Sequence, residues 1–227
     1  MPKFFVNEEQ IQKEDVKVIG NDVKHIKNVL REKVGNELII CNTSNKKDYL
    51  CKIEEISEEY IKCKIEKELE NNSESNIQVT IMQGLPKADK MELIIQKSVE
   101  LGVYDIIPIE MKRCVVKVNE KDKQKKLQRW QKISEVAAKQ CGRNIIPKIK
   151  PILNLKNICN MLKEYDIVLL AYEKEEKITI KQELNNIKEN LNKFIHSSTY
   201  SKFIMDPIVT IRNDRYVIPI KVEYKDN

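Results

Sequence analysis

The sequence predicts an α+β chain in two parts, a small antiparallel β-barrel followed by an α/β domain. Three observations carry that prediction. Within the first 70 residues, β-branched or alternating runs recur about every 10 residues, the spacing of a small barrel. Residues 68–76 (Glu68-Leu-Glu-Asn-Asn-Ser-Glu-Ser-Asn76) are polar and aperiodic and read as a linker. After residue 76, strands alternate with amphipathic helices, as in a parallel sheet with right-handed crossovers.

The elements follow in order. A short helix is expected over 22–31, with Asp22 as N-cap and Val23, Ile26, Val29 and Leu30 on one apolar face. Strands are expected over 37–41, 48–53 and 60–65, separated by polar turns at 42–47 and 57–59. Strand 77–83 leads into helix 87–101, whose buried face is Met91, Ile94, Ile95 and Val99. Gly102 ends that helix, and strands follow at 105–109 and 114–118. A long helix over 121–141 carries Leu127, Trp130, Ile133, Ala137 and Cys141 on one side, with Gly142 at its C′ position. Residues 166–172 form a continuous apolar strand of the kind buried in parallel sheets.

Composition narrows the function. The 227 residues are 41% hydrophobic and 33% charged, with mean hydropathy −0.51. No apolar run approaches the roughly 18 residues of a membrane helix. The N-terminus lacks the long apolar core of a signal peptide, so the expected location is the cytoplasm, with no membrane partner. Six cysteines show no C-x-x-C pair and no histidine at ligand spacing; buried small hydrophobes are expected, and no metal site. An average chain of this length carries about 16 glycines at roughly 7% usage. This one has five, and the last is Gly142. A pocket where backbone meets a nucleotide-type ligand usually needs glycine, so the C-terminal third is a poor place for one.

Charge is uneven. Residues 112–150 hold 13 Lys and Arg against Glu120, Asp122 and Glu135, a local +10 in a chain of +6. Such a face is the footprint of phosphate binding; the alternative is a solvated lysine-rich helix. The turn Gln83-Gly-Leu-Pro-Lys-Ala-Asp-Lys-Met-Glu92 joins a strand to a helix and carries Lys87 and Lys90, which could meet a phosphate there. A plain βα turn is the alternative. Arg113 and Arg143 sit in loops and suit either phosphate contacts or solvent. His25 has no nucleophile or metal partner near it in sequence and reads as a satisfied helix histidine.

These residues also carry a resemblance. Lys3-Phe4-Phe5, His25, Val29-Leu30-Arg31 and Gly35 resemble the opening of the bacterial family that methylates N3 of a uridine in 16S ribosomal RNA. The likeness strengthens over residues 83–92, then Lys97, Glu100-Leu-Gly-Val103, Pro108, Arg113, Arg129-Trp130, Glu135, Ala137-Ala-Lys-Gln140, Gly142-Arg143 and Pro147. It runs over about residues 1–185. The resemblance implies a PUA-like barrel over 1–72, a SPOUT-type methyltransferase domain over 73–185, S-adenosylmethionine as methyl donor, and 16S rRNA or the small ribosomal subunit as partner. It implies a homodimer whose face and donor pocket are built on a C-terminal knot. The RNA contacts it implies are Arg31, Lys87, Lys90, Arg113 and Arg143. Leu170, Ala171, Tyr172 and Glu173 would line the surviving edge of the donor pocket. No catalytic residue is assigned. Chemically, the uridine N3 proton must leave and the methyl must lie in line with N3, so positioning and electrostatics dominate.

The pattern breaks after Glu173. The resemblance calls for a Gly-Pro-Glu-Gly-Gly-Phe loop and a Leu-Gly-x-x-Ile-Leu-Arg segment that make the knot, and neither is present. The α/β domain is therefore expected to be incomplete, leaving an unpaired sheet edge prone to aggregation. In their place, residues 186–227, with Thr210-Ile-Arg-Asn-Asp-Arg-Tyr-Val-Ile-Pro-Ile-Lys221, resemble a fragment of the bacterial MutS-like ATPase and nuclease family, without its nucleotide-binding motifs. The chain reads as a chimera joined between about 180 and 191. Three readings stay open: a methyltransferase by descent with impaired donor binding, a non-catalytic rRNA-binding remnant, and a MutS-like protein of DNA processing.

Overall fold

The computed structural model describes residues 1–70, 73–75, 77–86, 90–111, 118–165, 167–171, 182, 185, 201–207 and 220–222. The chain divides into two units, Met1–Glu74 with Val136–Ile146, and Ser75–Glu135 with Pro147–Asn227.

The first unit is a six-stranded sheet built from β1 (Lys3–Val6), β2 (Ile11–Gln12), β3 (Asp15–Ile19), β4 (Glu37–Asn42), β5 (Asp48–Ile56) and β6 (Tyr60–Leu69). Its order is β1-β4-β5-β6-β3-β2, with β1 parallel to β4 and the other pairs antiparallel. Alternation does the work. Val16 and Val18 on β3, Ile61 and Cys63 on β6, and Cys51 and Ile53 on β5 all turn inward, joined by Phe4, Leu38 and Ile40. Each such buried aliphatic contributes about 1.5–3 kcal/mol. β5 and β6 slip register at Leu50/Cys51 and Ile53/Glu55, the bulges by which a sheet curls.

The helix before β4 differs from expectation. It is a single α-turn, α1 (Asn21–Lys24), running into a six-residue π-helix, His25–Leu30. Gly20 (φ +75) is the N-cap, not Asp22. Asp22 instead accepts from Lys139 Nζ at 2.9 and 3.0 Å. Val23 and Ile26 are buried as predicted, but the π-turns rotate Val29 and Leu30 outward, leaving Val29 66% exposed. A 3.6-residue pattern cannot anticipate that rotation. His25 is exposed, with its ring edge-on to Phe4 at 6.1 Å.

In the second unit, β7 (Ile77–Gly84), α2 (Lys90–Glu100), β8 (Asp105–Glu110), α3 (Glu120–Gln140), β9 (Lys148–Ile149), β10 (Leu153–Asn154), α4 (Leu155–Met161) and β11 (Ile167–Ala171) follow in order. Val136 and the residues after it on α3 belong to the first unit. The predicted strand at 114–118 falls almost entirely outside the described residues. Met91, Ile95, Ser98 and Val99 form the buried stripe of α2, and Ile94 is half-buried. On α3, Trp130, Ser134, Ala137 and Ala138 are buried. Cys141 is exposed, as is Cys159, contrary to the expectation of buried cysteines. Cys41, Cys51 and Cys63 are buried, and burial pushes each thiol up to about 12, so none is a nucleophile. Among the described residues no helix is long and apolar enough to cross a membrane.

The sheet of this unit reads β10-β8-β7-β12-β11-β13, with β12 (Ser201–Pro207) and β13 (Ile220–Val222) supplied by the C-terminal segment. β12 is parallel to both neighbours: Phe203 pairs with Val79 of β7 and with Ile167 of β11. The expected unpaired edge is therefore not there. The slot between β7 and β11 is filled, because a strand with bonding neighbours on both sides satisfies rows of N–H and C=O groups that would otherwise be orphaned. One core of this unit joins Met82, Ile107, Ile109 and Ile158, with Leu153, Met161 and Val168 packed against them.

Candidate functional site

Five successive strands of the second sheet run parallel, so their carboxyl ends line one edge in the order Asn154, Glu110, Gly84, Pro207, Ala171. In open α/β sheets this is the edge where ligands sit. Gln83 at its centre is 3% exposed; its Nε2 donates to Gly84 O at 2.8 Å, and its Oε1 has no hydrogen-bond partner among the described residues. Leu170 and Ala171 pair with Asp206 and Pro207. Tyr172 and Glu173 lie outside the described residues.

Backbone chemistry at this edge decides what it can hold. A glycine-lined cradle lets a ligand approach the main chain closely. Here Gly84 is backed by Met111, whose Cε stands 3.0 Å from where a Cβ would be. Neither β11 nor β12 carries a glycine, and none follows Gly142 in the chain. β12 ends in Asp206-Pro207, and proline both fixes φ and lacks an N–H to offer. Among the described residues, those at this edge do not form the cradle that the resemblance requires for S-adenosylmethionine.

The predicted RNA contacts separate into three groups. Arg31 is exposed, in the left-handed conformation (φ +57), with its N–H donating to Ile26 O as it closes the π-helix. Lys90 is exposed at the start of α2. Lys87 and Arg113 lie outside the described residues.

Arg143, expected as an RNA contact, is placed inside the first unit. It is 4% exposed, and its guanidinium donates Nε at 3.2 Å and Nη2 at 2.7 Å to the two carboxylate oxygens of Glu74. The local sequence explains this. Gly142 (φ +76) ends α3 in a Schellman turn, Arg143 N donating to Ala138 O at 3.1 Å, and the turn aims the next residues inward. Asn144 N and Ile145 N also donate to Glu74, at 2.9 and 3.1 Å. Beside this lies a second buried knot of charge. Lys3 Nζ donates to Asp48 Oδ2 at 2.7 Å, Asn144 Oδ1 at 2.7 Å and Gly142 O at 3.1 Å, so all three ammonium protons are used. Asn144 Nδ2 donates onward to Lys46 O at 2.8 Å. Residues 142–145 are thus fastened to the first unit's sheet by two charge-assisted clusters. A buried Lys3 and a pinning Glu74 within the predicted linker were not legible, because each partner is far away in sequence.

Glu74 gives a pH dependence. Burial pushes its pKa up, but Arg143 and the N–H groups of Asn144 and Ile145 outweigh burial and hold it below the ordinary carboxylate value. A lowered carboxylate contributes stability that is present above its unfolded pKa, roughly 4.3, and lost as pH falls through the folded value. Glu74→Gln is therefore expected to cost about 1–3 kcal/mol at pH 7, and less as the pH falls below the unfolded value. Urea denaturation of both proteins at pH 7 and pH 3 checks it; a deficit independent of pH would contradict the assignment.

Comparison with known proteins adds the following. An RNA methyltransferase domain matches residues 73–198, and an RNA methyltransferase PUA domain matches 18–66. Ribosomal RNA small subunit methyltransferase E of Bacillus subtilis is 33% identical over 180 residues, covering 78% of this chain and 70% of that protein. A crystal structure of the Neisseria gonorrhoeae protein of the same name, bound to S-adenosyl methionine, superposes with TM-score 0.71 at 26% identity, covering 91% of this chain and 79% of the other. Endonuclease MutS2 of Acetivibrio thermocellus is 54% identical over 46 residues, 20% of this chain and 6% of that protein.

Proposed function

This chain belongs to the ribosomal RNA small subunit methyltransferase E family, whose methyl donor is S-adenosylmethionine, and we propose that it keeps the rRNA-binding half of that activity while donor binding is lost. The substrate class is 16S rRNA, with N3 of a uridine as the position the resemblance implies. What supports the loss is one observation: the strand between β7 and β11, β12, ends in Asp206-Pro207 beside Ala171, with no glycine on β11 or β12 and none after Gly142. Arg31 and Lys90, both exposed, are the described residues offered for phosphate contact, with Lys87 and Arg113 as further candidates. Arg143 serves instead to hold the turn after α3.

Titration calorimetry with S-adenosylmethionine is the direct test. No saturable heat is expected up to about 1 mM, which corresponds to less than roughly 4 kcal/mol of binding free energy. Micromolar affinity would overturn the loss. Binding of 16S rRNA in the same protein is expected to persist and to weaken steeply with salt. Methyl transfer to small ribosomal subunits above the blank would restore the full activity to this chain. The MutS-like reading has nothing further to support it, since the matched fragment is 6% of that protein.

A further inference from the structure

We propose that the solvent face of α3 is a track for the phosphate backbone of the RNA, an inference that rests on the rRNA-binding reading above. The helix carries seven Lys and Arg against three acids. Its buried line is Trp130, Ser134, Ala137 and Ala138. On the solvent side, Lys121, Lys125, Gln128 and Lys132 are all exposed. They stand at i, i+4, i+7 and i+11, which at 3.6 residues per turn is one narrow stripe roughly 16 Å long.

Folding does not ask for this arrangement. Lys121 stands in the first turn, at the positive end of the helix dipole, where a cation is unfavourable. Lys121 and Lys125 are like charges at i,i+4, which repel. Three of the neighbouring acids are committed to cations off the stripe, and a fourth faces the stripe's own Lys132. Glu120 and Glu110 face Lys123, Glu92 takes Arg129 at 2.7 Å, and Glu135 takes Lys132 at 2.9 Å in an exposed pair. Among the described residues Lys121 and Lys125 have no recorded acidic partner. A stripe of flexible point charges with no aromatic group interleaved fits a phosphodiester chain, which carries one charge every few ångströms and needs no sequence-specific contact.

The test is the salt dependence of binding. The full chain and its Lys121→Gln/Lys125→Gln/Lys132→Gln variant are titrated with a single-stranded fragment of 16S rRNA at several salt concentrations. Loss of three phosphate contacts is expected to lower the slope of log affinity against log salt by about 2, at about 0.7 per contact, and to weaken binding at least tenfold at low salt. Gln128→Lys, which adds a charge to the stripe, is expected to raise the slope by about 0.7 and to tighten binding. All four positions are exposed, so both variants are expected to melt as the parent does. Unchanged slopes in both variants, with a parent that binds RNA, would overturn the track and leave the rRNA-binding reading standing. A parent without RNA affinity would overturn both. Anionic vesicles bound by the parent and lost in the triple variant, with RNA binding intact, would also overturn it and assign the stripe to a membrane surface.

Discussion

Replacing Lys3 with methionine is expected to destabilise the first unit by about 3–5 kcal/mol, the cost of leaving a buried charge uncompensated. The side chains of Lys3 and Asp48 are 4% and 5% exposed. With the ammonium gone, the Asp48 carboxylate loses its cation in a site that water does not reach. Gly142 O and Asn144 Oδ1 lose a donor as well. The reverse substitution, Asp48→Leu, is expected to be similarly costly. The double variant Lys3→Met/Asp48→Leu should recover a large part of the loss, because two apolar side chains leave no charge stranded. Urea midpoints for the four proteins supply the cycle. A Lys3→Met variant within about 0.5 kcal/mol of the parent, the range of ordinary surface substitutions, would show that the pair is not the buried fastening described here.

Ile204→Pro is expected to abolish the cooperative melt of the second unit. Ile204 lies mid-strand in β12, opposite Thr80 on one side and Val168 on the other. Proline there removes a ladder hydrogen bond and forces its ring against a neighbouring strand, at about 3 kcal/mol or more. β12 joins β7 to β11, so its loss would part the sheet at its centre rather than at a margin. Ile204→Val serves as the control and should stay within about 1.5 kcal/mol. Calorimetry of both variants checks it. An unaltered transition in Ile204→Pro would mean that Ser201–Pro207 does not occupy the slot between β7 and β11.

These two variants probe different origins of order. The Lys3 cluster belongs to residues 1–185, over which the sequence resembles the methyltransferase family. The β12 strand belongs to residues 186–227, whose sequence resembles a different family, and it nonetheless completes the sheet. A parallel slot between two strands makes modest demands. It needs several residues of extended backbone with β-forming side chains, and Ser-Lys-Phe-Ile-Met supplies them. A donor cradle makes stricter demands, since it needs glycine at defined places in the loop beyond the strand. Structural completion and the proposed loss of donor binding are therefore compatible in one segment.

The sequence by itself determined β4, β5 and β6 of the first unit, though not β1, β2 or β3, and the helix–strand rhythm of the second, because periods of 2 and 3.6 residues are local properties. It also determined the Schellman end of α3 at Gly142 and the scarcity of glycine, each of which is a matter of residue type. Tertiary structure alone decided the rest. Arg143 became a buried partner of Glu74 rather than a surface cation, Asp22 left its cap for Lys139, and the π-helix at His25–Leu30 turned Val29 to solvent. Ser201–Pro207 was drawn between two strands far from it in sequence. For Arg143, Asp22 and Ser201–Pro207 the deciding partner is remote along the chain, and hydrogen bonds and ladder pairing are settled by what stands opposite in space.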